Sequence, residues 1–145
     1  MASIRSRIGE NMEDRYLFKA KRLDTHDWIL GFLSMHKTGK YFIRPIGGSA
    51  SSSEEVEKNT ICQCTGLKDK NGKLIWENDV VAYWDTYSTD NGQAEADCDG
   101  KVVWDDETIS FQVTNRLSSE SYEVLDECFV IGNIFDNQEL SESEG

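Results

Sequence analysis

The side chains best able to do chemistry in this sequence are carboxylates, and they occur in clusters: Glu54-Glu55, Asp97 with Asp99, and Asp105-Asp106-Glu107. Paired carboxylates can act as acid and base, or hold a divalent cation, only where their oxygens converge on one point. Each cluster falls among turn-forming residues, and the run Asp85, Asp90, Glu95, Asp97, Asp99 does not reproduce a calcium-binding loop. The acids therefore read as solvated, and no metal is expected. His26 and His36 lie in or beside turns, where a solvated imidazole is the simpler reading than a general base. The cysteines at 62, 64, 98 and 128 lack the C-x-x-C or H-x-x-x-H spacing of a zinc site, so they read as buried thiols in a reducing compartment. There is no glycine-rich phosphate loop, no nucleophile elbow and no H-E-x-x-H. The expectation is a protein with no catalytic residues and no cofactor.

The cations form a second constellation. Lys68, Lys70 and Lys73 flank the dipeptide Asn71-Gly72, Arg44 stands at a strand end, and Trp76, Tyr83 and Trp84 belong to neighbouring strands. Basic groups beside aromatic rings suit the stacking of a base and the holding of a phosphate. The plainer reading is a hairpin kept soluble by its lysines, with the aromatics in the core. Charge is unevenly spread. Residues 1–84 carry 13 Lys and Arg against 11 Asp and Glu, whereas residues 85–145 carry 2 against 16. Such an acidic half argues against binding duplex nucleic acid, which needs cations along the phosphates. It suits contact with a basic protein surface, or solubility alone.

The elements that must position these groups are short and extended. The 145 residues suit one domain, and no apolar run is long enough to cross a membrane as a helix. The first twenty residues hold no apolar segment of a secretory signal. Residues 1–11 read as a disordered leader or extension, residues 12–136 as one β-rich domain, and residues 137–145 as a flexible acidic tail. Strand patterns cover Tyr16 to Ala20, Trp28 to Leu33, Tyr41 to Ile46, Thr60 to Cys64, Lys73 to Trp76, Val80 to Trp84, Lys101 to Trp104, Thr108 to Val113, Tyr122 to Leu125 and Cys128 to Phe135. Gly66 is expected to break its strand, and Glu54 to Lys58 to form one helical turn. Residues 85–100 are expected as a long loop or hairpin tip. Asn71-Gly72 predicts a type I′ turn with both residues at positive φ. In Thr108 to Val113 the alternation puts Ile109, Phe111 and Val113 on one face. The fold class expected is mainly β, β-rich α+β at most, built from small antiparallel barrel-like sheets.

The central segment Thr60-Ile61-Cys62-Gln63-Cys64-Thr65-Gly66-Leu67-Lys68-Asp69-Lys70-Asn71-Gly72-Lys73-Leu74-Ile75-Trp76-Glu77-Asn78-Asp79-Val80-Val81 resembles the YopX family of phage and prophage proteins. Its pattern there runs T-x-x-Q-[YF]-T-G-L-x-D-K-N-G-K-x-I-[YFW]-E-G-D-[IV]-V. Tyr16 to Leu33 resembles the family's opening strands, Gly100 to Trp104 its G-x-V strand, and Val130-Ile131-Gly132-Asn133-Ile134-Phe135-Asp136-Asn137 its closing element. Two positions depart: Cys64 stands where the family often has an aromatic, and Asn78 where it has glycine. Asn tolerates a left-handed corner best among non-glycine residues, so the second change keeps the geometry. The shared motif consists of turns and core, which specify a fold rather than a reaction. The resemblance implies a phage or prophage origin and the cytoplasm of a bacterial host cell as location.

Three functions are weighed. The first is a non-enzymatic accessory protein that binds a host macromolecule, a defence or nucleic-acid-handling enzyme, through the acidic surface of Asp97, Asp99, Asp105, Asp106 and Glu107. The second is a homo-oligomeric sponge that sequesters a nucleotide immune signal with Arg44, Lys68, Lys70, Lys73, Trp76, Tyr83 and Trp84. The third, an enzyme acting on nucleotides or nucleic acid, lacks an acid–base constellation. The partner expected is a host protein or, in the second reading, a nucleotide; no membrane contact is expected.

Overall fold

A computed structural model describes the backbone of residues 14–115, 121–123 and 128–138, and the side chains of these except 85–89, 93–97, 115 and 121–123. The expected leader at 1–11 lies outside the described residues, as do residues 139–145 of the tail. The fold is mainly β. Its strands are β1 (Phe18–Lys21), β2 (Trp28–Met35), β3 (Tyr41–Pro45), β4 (Glu54–Val56), β5 (Cys62–Lys68), β6 (Leu74–Trp76), β7 (Asp79–Thr89), β8 (Gly92–Asp105), β9 (Ser110–Asn115), β10 (Ser121–Glu123) and β11 (Phe129–Asn133). They form two antiparallel sheets in the orders β4-β3-β2-β1-β5-β6 and β10-β9-β8-β7-β11. Neither sheet is a closed barrel. The chain divides into two compact units, residues 1–66 and 67–145.

In the first unit, β2 alternates between two faces although nearly all its residues are apolar. Ile29 and Leu33 pack inward with Phe18, Tyr41 and Ile61 on a core of Ala20, Ile43 and Val56. The register pairs Lys21 with Trp28, Lys19 with Leu30 and Phe32 with Arg44, and directly opposed residues share a face. The outer face of β1–β3 therefore carries Lys19, Lys21, Trp28, Leu30, Phe32 and Arg44. Gly31 lets β3 approach closely, because a Cβ there would meet the Arg44 carbonyl oxygen. At the far edge, Leu23 N–H donates to Glu55 O (2.9 Å), Glu57 N–H donates to Lys21 O (2.8 Å), and Arg22 bridges to Val56. These links draw the two ends of the β1–β4 sheet together. The expected helical turn at Glu54 to Lys58 is instead β4 followed by a 3₁₀ turn at Lys58–Thr60.

In the second unit the core is Ile75, Val81, Val102, Val113 and Cys128, with Leu67, Tyr83, Phe111 and Val130 packed against it. β5 does not break at Gly66 but runs through it, with that glycine at φ 83° absorbing the kink. Residues 85–100 form a hairpin rather than a loop. β7 and β8 pair continuously from Val80 with Lys101 to Thr89 with Gly92, while β11 pairs with β7 as far as Ala82 and β9 with β8 as far as Gly100. β9 begins at Ser110, so Ile109 is not its first inward residue. Ile109 sits in the preceding turn at φ 53° and is 75% exposed. The alternation starts later than expected because the turn takes four residues, 106–109, not the three acids alone.

Candidate functional site

The motif around Asn71-Gly72 is organised by a buried carboxylate. Asp69 is 6% exposed. Its Oδ1 accepts from the backbone N–H of Asn71 (2.9 Å) and of Lys73 (2.9 Å), and its Oδ2 from Val130 N–H (2.9 Å). Asp69 N–H donates to Lys73 O (2.8 Å), Gly72 N–H to Asp69 O (3.0 Å), and Lys70 N–H to Cys128 O (3.0 Å). This is a three-residue hairpin loop with a type I turn closed by a glycine bulge, not the two-residue type I′ turn. Only Gly72, at φ 80°, takes the left-handed conformation there; Asn71 does not. The carboxylate explains the difference, since a two-residue loop would carry Lys73 N–H away from Oδ1. Burial pushes the Asp69 carboxyl up, but the three N–H donors and the Lys73 charge outweigh it and hold the pKa below the usual value. Asp69 thus ties the hairpin to β11. Its role is structural, and its oxygens are spent on backbone.

The next corner works similarly. Asn78 takes φ 72°, as its place in the motif requires, and its N–H donates to Val102 O (2.7 Å) while its own carbonyl accepts from Ile134 N–H (3.1 Å). Asp79, buried, accepts from Trp76 N–H through Oδ2 (2.8 Å). The corner places Val80 and Val81 in the core, so this part of the motif also specifies packing.

The lysines surround the Asp69 turn. Lys68, Lys70 and Lys73 are exposed, and Lys70 Nζ stands 5.8 Å from the centre of the Phe129 ring. The aromatics named with them divide. Trp84 is 64% exposed, Trp76 is buried at 6%, and Tyr83 packs against the core. Arg44 belongs to the first unit, where its guanidinium lies 5.4 Å from the Phe32 ring centre.

The acidic residues concentrate where β8 turns into β9. Asp105 is half-buried and its Oδ1 accepts from Glu107 N–H (2.8 Å), which shapes the turn. Asp106 and Glu107 are exposed. Trp104 donates its indole N–H to Asp106 Oδ1 (2.8 Å) and packs edge-on against Phe111, ring centres 5.2 Å apart. On the other flank, the buried Gln112 donates from Nε2 to Ser110 Oγ (2.8 Å). Asp99 is half-buried in β8 opposite Ala82. Asp97 pairs with Trp84 in the ladder, and its side chain lies outside those described. The structure thus brings Asp105, Asp106 and Glu107 together, with Trp104 and Ile109 exposed beside them. Cys62, Cys64 and Cys128 are buried, as expected of small apolar side chains; the first two lie in β5, and Cys128 stands just before β11. Among the described residues no cluster of three or more His, Cys, Asp or Glu is arranged to hold a metal, and no helix is long and apolar enough to cross a membrane.

Sequence reasoning passed over the outer face of β1–β3. The usual signal, alternation of apolar and polar residues, is absent from Trp28-Ile29-Leu30-Gly31-Phe32-Leu33, so neither face stands out in the sequence alone.

Comparison with known proteins places these features. No match was found among curated proteins. A solved structure, the crystal structure of protein EF1440 from Enterococcus faecalis, is similar, with 25% identity over 86% of this chain and 96% of its own and a TM-score of 0.49. The family model described as YopX protein matches residues 34–142, which include the Asp69 hairpin, the Asn78 corner and the closing strand β11. With most of its length matched, the chain belongs to the YopX family.

Proposed function

We propose that the protein is a non-enzymatic, phage-encoded accessory protein that binds a basic surface of a host protein through Asp99, Asp105, Asp106 and Glu107, with Asp97 continuing the same strand. The observation that supports this is the β8–β9 turn. Its backbone is fixed by Asp105, its flank by the Trp104–Asp106 hydrogen bond, and the carboxylate of Glu107 is left exposed. A preformed acidic turn with an exposed indole meets a cationic surface at little ordering cost, and its charges steer encounter. The nucleotide reading has less support, because Trp76 is buried.

The test is affinity capture from a bacterial host lysate, with protein identification and nucleotide extraction of whatever is retained. Changing Asp97, Asp99, Asp105, Asp106 and Glu107 to Asn or Gln should abolish capture of the protein partner. The loss should fall mainly on the association rate, and raised salt should mimic it. Changing Lys68, Lys70 and Lys73 to Gln should leave capture unchanged. The opposite pattern, with a nucleotide retained, would favour the sponge.

A further inference from the structure

We infer that the outer face of β1–β3 in the first unit is a binding platform for single-stranded nucleic acid, built from Trp28 and Phe32 as stacking rings and Lys19, Lys21 and Arg44 as phosphate contacts. Each ring has a cation at its face. Lys19 Nζ lies 4.7 Å and Lys21 Nζ 5.4 Å from the Trp28 ring centre, and the Arg44 guanidinium lies 5.4 Å from that of Phe32. The hydrophobic effect does not account for this arrangement, since Leu30 and Phe32 remain 37% and 40% exposed on a face opposite the core. Core-forming residues of the same strand, Ile29 and Leu33, point the other way.

An exposed sheet face with rings and cations interleaved matches one kind of partner. Unpaired bases offer π-faces that stack on aromatic rings irrespective of sequence, and the phosphates between them pair with Lys and Arg. A duplex conceals those faces. Trp28 and Phe32 are four residues apart along β2, about 13 Å at strand spacing, which seats two separate bases rather than one. A base arriving on Trp28 displaces the two ammonium groups from the ring only as far as the adjoining phosphates, so their charge stays engaged. Among the described residues, the carboxylates bordering this face are Glu55, opposite Phe42 on β4, and Glu57, whose N–H donates to Lys21 O (2.8 Å); they confine the nucleic acid to the middle of β1–β3. The platform belongs to the part of the chain whose charge balance is positive, and it is separate in sequence from the acidic turn.

The experiment is fluorescence anisotropy with labelled oligo(dT) and oligo(rU) of about twelve nucleotides at low salt. Binding should be detectable below about 100 μM, should weaken steeply with salt, and should quench Trp28 emission, a signal lost in Trp28→Phe. Phe32→Ala and Arg44→Gln change exposed side chains, so both should fold, as circular dichroism would show. Each should weaken binding by about fivefold or more, and Arg44→Gln should also flatten the salt dependence. No binding at about 100 μM overturns the assignment. So does affinity equal in wild type and Phe32→Ala, or equal tightness for a duplex or an oligo-glutamate of matched length.

Discussion

Removing the Asp69 carboxylate should unfold the second unit at markedly lower denaturant. Three backbone N–H groups, those of Asn71, Lys73 and Val130, converge on this side chain. A hydrogen bond to a charged group contributes about 1.5–3 kcal/mol, so three set a ceiling several kcal/mol high. The ceiling is not reached, because Asn71 and Lys73 are exposed and water replaces the carboxylate at their N–H groups. Val130 N–H, on a half-buried residue of the closing strand, keeps the larger penalty. Asp69→Ala should therefore cost about 3 kcal/mol, the loss of one buried charged hydrogen bond plus a loosened turn. In Asp69→Asn the amide oxygen can serve Asn71 and Lys73, but the amide NH2 then faces the Val130 N–H, for a cost of about 2 kcal/mol. The sign of the pH dependence follows from the lowered pKa. The carboxylate's contribution is present above its ordinary value near 3.8 and is lost as pH falls through the lower folded value. The gap between wild type and Asp69→Asn should therefore narrow on acidification. Urea unfolding followed by tryptophan fluorescence at neutral and acid pH measures the gap, and amide exchange at Val130 locates it. A neutral-pH difference under about 0.5 kcal/mol, or a gap that widens in acid, would refute the role assigned to Asp69.

Substitutions at two further positions test the backbone readings. Ile109→Gly should raise stability by about 0.5–1 kcal/mol, because a β-branched residue at φ 53° is strained and its exposed side chain gives up no core contact; thermal melting measures it. Asn78→Gly should be neutral within about 0.5 kcal/mol, whereas Asn78→Val should cost about 2 kcal/mol at φ 72°, both read from urea midpoints.

What the sequence made legible was the position of turns. Asn71-Gly72 marked its hairpin, Asn78 its corner, and the polar stretch at 85–100 a reversal, because each of these depends on residues close in the chain. Turn type was not legible at Asp69, where a contact 61 residues away, to Val130, decides which N–H groups the carboxylate gathers. The same reason hid Gly66, whose kink serves a strand that continues past it. Of the candidate surfaces, the acidic one was visible as a charge imbalance, since counting needs no geometry. The aromatic and cationic face was not, because it is assembled from three strands by register, and within β2 both faces are apolar.

The β7–β8 ribbon outruns its neighbours: β11 leaves it at Ala82 and β9 at Gly100, yet the two strands continue pairing to Thr89 and Gly92. Beyond those points its length is an adjustable dimension of the molecule. Because side chains alternate with a period of two, a pair of residues can be inserted in or deleted from each strand without reversing which way any remaining side chain points. Such changes need not touch Val81, Val102 or the other core residues, which lie before the ribbon begins. Natural variation in reach is therefore expected to come in even steps at the Asp90-Asn91 turn, and a peptide tag grafted there should be carried at the end of a stiff stalk with the fold beneath it unchanged.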